Sequence, residues 1–93
     1  MHVGALIVDL YLPGCTSLKG KRSIVKSIKE RVKNKFNVSV AEVDYHDLHQ
    51  RALIGVAMIG NDAKKINSAL DKVLSFLELF RDADLAGHQL EIM

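Results

Sequence analysis

Tryptophan is absent from these 93 residues, and proline and cysteine occur once each. A single cysteine cannot close an internal disulfide, so a disulfide scaffold is excluded and a reducing, cytoplasmic setting is expected. No apolar run approaches the ~18–20 residues that span a bilayer. The start, Met1-His2-Val3-Gly4-Ala5, lacks the basic n-region of a signal peptide, so no membrane partner is expected. Cys-x-x-Cys is missing, which removes a copper-chaperone reading. Aromatics are also scarce. An RNA-recognition motif stacks bases on aromatics of its central strands, and here only Tyr11 lies near such a position.

What remains is ordinary globular material. The chain is 48% hydrophobic and 26% charged, near the usual ~45–50% and ~25%, and its length suits one domain over residues 1–93. The net charge of +2 conceals a division. Residues 1–36 carry +6 and residues 37–93 carry −4. Such a dipole suits an anionic partner on one side of the molecule, or simply a solvated lysine-rich helix.

Residues 3–12 are almost continuously apolar and end at Pro13-Gly14, as a buried central strand does. Gly4, Leu6, Val8, Leu10 and Leu12 form its more apolar face. Ser17 is a plausible N-cap for a helix over 18–35 whose stripe is Leu18, Val25, Ile28, Val32 and Phe36, with Ile24 beside them. Residues 37–43 alternate like a half-wet strand, with Val38 and Val40 on one face. Residues 51–60 form a second apolar strand. Asp62 or Asn61 caps a second helix over 62–81, and residues 86–92 alternate as a short edge strand, with Asp82–Leu85 a polar turn before it.

The order βαββαβ implies an α+β, ferredoxin-like sandwich: a four-stranded antiparallel sheet with two helices on one face. Right-handed crossovers are expected to put the first and third strands side by side and parallel in the middle. The other sheet face keeps Val3, Ala5 and Ile7 exposed in a monomer, so a homodimer through this open face is expected.

Three places could carry chemistry. Ser17, Lys19, Lys21 and Arg22 surround the start of the first helix, where free N–H groups and the helix dipole favour an anion. Lys26, Lys29 and Lys33 continue the basic surface along the helix, and with Lys19, Lys21 and Arg22 they are expected to sit exposed, off its apolar stripe. Cys15 could be an activated thiol beside that helix start, though no histidine is near it in sequence. His46-x-x-His49 offers two imidazoles, but no thiolate and no fixed four-ligand set, so no metal site is expected.

Two segments carry a resemblance. Leu12-Pro13-Gly14, Ser17-Leu18-Lys19 and Lys21-Arg22 resemble the "LPG..SLK.KR" signature of the YlxP-like family of small bacterial proteins. Residues 36–43, then Asp47, Leu48, Gln50, Arg51 and Ala52, resemble its "NVSVAEV...DLWQRA" stretch. His49 replaces the usual tryptophan, and Gly20 replaces a usual charged residue. The resemblance spans roughly residues 1–80. It implies a ferredoxin-like fold and a translation-adjacent role, since genes of this family often lie beside ribosome-maturation genes, that of ribosome-binding factor A among them. It implies no active site.

The expectation is therefore a non-enzymatic binding module without catalytic residues or cofactors. It would contact RNA or a ribosomal particle through Ser17, Lys19, Lys21, Arg22, Lys26, Lys29 and Lys33. The alternatives are a regulatory domain that binds an anionic metabolite at the turn from Ser17 to Arg22, and a protein-interaction module using Asp47–Arg51.

Overall fold

Alternation at period two sends Leu6, Val8 and Leu10 to one side of the first strand, with Leu12 just beyond its end, and all four are buried. In the computed structural model, which describes residues 1–93, this strand is β1 (His2–Tyr11), followed by α1 (Leu18–Lys35), β2 (Ser39–Asp44), β3 (Arg51–Gly60), α2 (Ala63–Leu77) and β4 (Asp84–Ile92). The sheet order is β2-β3-β1-β4, and every neighbouring pair is antiparallel. The ferredoxin-like α+β sandwich is thus present.

The central pair β1–β3 is antiparallel, not parallel as the crossovers alone suggest. Each β-α-β crossover skips one position, so the parallel relations are β1 with β2 and β3 with β4. The β2–β3 hairpin reverses direction between them, and each gap is filled by a strand of opposite sense.

Helix boundaries follow from caps. The Ser17 hydroxyl accepts from the Gly20 N–H at 3.0 Å and starts α1 at residue 18. The Asp62 carboxylate accepts from Lys64 and Lys65 N–H at 2.9 and 3.3 Å and starts α2. α2 ends at Leu77, four residues before the expected end. Its last turn tightens through Leu79 N–H to Phe76 O and Phe80 N–H to Leu77 O, which leaves Leu79 exposed and turns Phe80 onto Phe76.

The core lies between the sheet and the helices. Val25, Ile28 and Val32 of α1, and Ile66, Leu70, Val73 and Leu77 of α2, meet Ala52, Ile54 and Val56 of β3 and the inner face of β1. Gly4 is a point of close approach: a Cβ there would overlap Ile66 Cγ2 and lie 2.8 Å from Leu70 Cδ1. β4 begins two residues early because a bulge opposite Asp9/Leu10 shifts its register. Leu10 pairs with Leu85 and Asp9 with Gly87, so Leu85, read from sequence as turn, takes the inner position and Ala86 is the extra residue.

Candidate nucleic-acid interface

A lysine ammonium cannot enter an apolar core without partners, because burying an unpaired charge costs several kcal/mol. Lys21 is fully buried. Its Nζ lies 2.8 Å from Glu42 Oε2 and donates to the carbonyls of Tyr45 (2.6 Å), Arg51 (3.1 Å) and His46 (3.3 Å). The ion pair is all that the buried Glu42 Oε2 meets. The expectation of a surface Lys21 is therefore wrong, and the periodicity explains why. Residues 21, 25, 28 and 32 follow a 4-3-4 spacing, so Lys21 stands on the apolar stripe, not beside it.

This ammonium closes the β2–β3 connection. Tyr45 has a left-handed backbone, φ 65°, which is uncommon for a residue with a Cβ and costs on the order of 1 kcal/mol. The Asp44 carboxylate accepts from Tyr45 N–H at 2.7 Å, and the Tyr45 carbonyl thereby faces Lys21. The connection also ties to the β1–α1 turn, for Leu12 N–H donates to the Gln50 carbonyl at 2.9 Å. The two sequence signatures, far apart along the chain, thus meet at one corner. Arg51 donates through Nε and Nη2 to Asp9 at 3.2 and 2.5 Å and lies over the Tyr45 ring. That hydrogen bond, then the Asp9 charge, raises the Arg51 pKa above its usual value, where arginine is already fully protonated at physiological pH. Asp47 is exposed at the tip of the connection. Of the residues singled out from the second signature, Gln50 and Arg51 act structurally.

The remaining cations make a different surface. Lys19, Arg22, Lys26, Lys29 and Lys33 recur at 3-4-3-4 spacing, so they form one row along α1. The row spans about 21 Å at ~1.5 Å per residue. All but the half-buried Lys29 are exposed. The chain has two ion pairs, Lys21–Glu42 and Arg51–Asp9, so none of the five is neutralised by a carboxylate. The Ser17 hydroxyl at the head of the row is occupied by its capping bond. With Lys21 committed inside, the turn from Ser17 to Arg22 presents two outward cations rather than three, which weakens the anionic-metabolite reading.

Sequence reasoning missed a second basic element on the opposite flank of α1. The Arg31 guanidinium lies 4.5 Å from the Phe80 ring centroid, and Lys35 Nζ lies 5.0 Å from that of Phe76. Phe76 packs edge-on against both Phe36 and Phe80. These half-buried rings lie between two clefts. One, of about 560 Å³, includes Lys35, Lys72, Ser75 and Phe76; the other, of about 390 Å³, includes Ser23, Ser27, Arg31 and Arg81. The signal in the sequence was the i, i+4 pair Phe76/Phe80 facing Arg31 and Lys35, readable only once the helices are known to be neighbours.

Cys15 is buried, and its thiol donates to the Ser17 carbonyl at 3.3 Å. His46 Nε2 lies 3.1 Å from the Glu42 carbonyl, and no three His, Cys, Asp or Glu side chains gather as a ligand set. After incubation with zinc and dialysis, less than a tenth of an equivalent should remain; stoichiometric zinc lost in His46→Ala would contradict this.

Residues 3–90 match a family described as "Protein of unknown function (DUF503)". The chain is also 40% identical over 68 residues to "Uncharacterized protein YlxP" of Bacillus subtilis (strain 168), a match covering 73% of this chain and 74% of that one. With the match running from β1 into β4, the chain belongs to the DUF503 family, the YlxP-like proteins whose function is unknown.

Proposed function

We propose that this chain is a non-enzymatic binding module that contacts RNA, free or in a ribosomal particle, through the solvent face of α1. The observation that carries this reading is the row Lys19, Arg22, Lys26, Lys29 and Lys33, five cations in one line with no carboxylate paired to any of them. A linear array about 21 Å long suits a polyanion better than a compact metabolite. Folding does not consume these charges, in contrast to Lys21.

Neutralising about five phosphates on a single strand gives a log–log salt slope near −3.5, so affinity should fall about 100-fold between 50 and 200 mM salt. The triple variant Arg22→Glu, Lys26→Glu, Lys29→Glu should keep its circular dichroism spectrum and lose most RNA association at 50 mM salt. Normal co-sedimentation of that variant with ribosomal particles would reduce the row to a solvated face. Loss in Lys29→Glu alone, well along the helix from its start, would favour RNA over a small anion at the turn.

A further inference from the structure

The nine lysines all lie on the helices, and the outward sheet face has none. That face is apolar along its centre, where Ala5 and Ile7 of β1 adjoin Gly55 and Ala57 of β3. Its one ion pair, Asp9 with Arg51, is internally neutralised. Lysine depletion around an apolar centre is the composition of an interface core rather than of a solvated surface.

We infer that the open sheet face binds a second copy of this chain, with Ile7 of each copy packed against Val43 of the other, the side chain that covers Gly55. Ile7 and Gly55 are direct register partners on the two central strands, one step from the middle of both. A two-fold axis running along the strands between β1 and β3 lays each β1 residue over its own β3 partner in the second copy. Val43 Cγ1 lies 2.9 Å from where a Gly55 Cβ would stand, so Ile7 of one copy meets Val43 of the other, twice, as a self-complementary contact requires. Both side chains are exposed apolar groups, and beside them lies a hollow of about 290 Å³ that Ala41 and Ala57 help to line. On the same axis Ala5 lies over Ala57, so small residues flank this contact and the sheets can approach to their usual ~10 Å. Glu91, the neighbour of Ala5, falls over Ser39, the neighbour of Ala57, a polar rim contact.

Area supports the same occupant. At ~3.3 Å per residue and ~4.8 Å between strands, the four strands present roughly 550 Å² of projected face. Side-chain relief raises the accessible area toward the ~800 Å² per partner of a stable interface. Face-to-face sheets ordinarily cross at about −30°, which displaces the strand ends but leaves the near-central Ile7–Val43 contact in place.

Sedimentation equilibrium of the full chain from 1 to 500 µM tests this. The expected result is a dimer mass for the wild type and a monomer mass for Ala57→Lys and for Ile7→Lys, both substitutions of exposed residues. Each variant should retain its circular dichroism spectrum, and Lys26→Glu on α1 should remain dimeric. A wild-type monomer at 500 µM overturns the inference. So does a dimer that survives either lysine substitution in a folded variant, because the contact then lies elsewhere.

Discussion

Lys21→Ala is expected to lower unfolding free energy by about 3–5 kcal/mol, the usual cost of removing one partner from a buried ion pair. The Glu42 oxygen would be left charged and buried, and the Tyr45, His46 and Arg51 carbonyls would lose their shared donor. Each orphaned carbonyl that water cannot reach adds about 1–3 kcal/mol. Urea denaturation at neutral pH reads the effect directly. Two further substitutions separate charge from volume. Lys21→Met keeps much of the bulk and should remain destabilised; adding Glu42→Leu should recover part of the loss, because an apolar pair replaces an unpaired carboxylate. Lys26→Ala, on the same helix but exposed, should stay within about 0.5 kcal/mol of wild type. A Lys21→Ala loss below about 1 kcal/mol would mean that the corner does not depend on the ammonium. The same argument bars Lys21→Glu as a probe of RNA binding, for its failure would report unfolding.

Gly4→Val should cost about 1–3 kcal/mol or more by overpacking. α2 lies so close to β1 there that even a Cβ overlaps Ile66 Cγ2, and Leu70 Cδ1 leaves no room on the other side. Relief requires α2 to lift from the sheet, so the loss should appear in the denaturation midpoint and as faster amide exchange across Ile66–Leu77. Gly14 is the matched control: nothing lies within 4 Å of its added Cβ and its φ is not positive. Gly14→Ala should leave stability unchanged or raise it slightly by restricting the unfolded chain. A Gly4→Val protein as stable as wild type would show that α2 adjusts freely at this contact.

Residues whose surroundings are local were legible in the sequence. The α1 bounds 18–35 and β3 bounds 51–60 follow from caps and continuous apolar runs, and both match the structure. What escaped depends on distant neighbours. Lys21 stood at a stripe position, but lysine is almost never fully buried unless paired, and its partner lies 21 residues away on β2. Reading Glu42 with Val38 and Val40, on the inward face at period two, would have supplied the missing carboxylate. The bulge in β4 was hidden because Leu85 and Ala86 are both plausible inward residues, and the register is set by pairing with β1. The direction of the central pair needed the whole topology. For the site, the row of five cations was visible as charge, whereas the stacks on Phe76 and Phe80 required knowing which flank of α1 faces α2.

The separation of lysines to one layer has a further consequence for valency. Two copies joined through their sheets would turn their helical layers outward in opposite directions, with α1 axes on the order of 30 Å apart at ~10 Å per layer. A short oligonucleotide could then occupy one row at a time. A long or folded RNA could engage both, the second at an effective concentration near the millimolar range. Such an assembly would act as a staple between two segments of RNA. Its affinity would rise with RNA length well beyond the reach of a single row, and it would collapse to the short-oligonucleotide value once the pair is split.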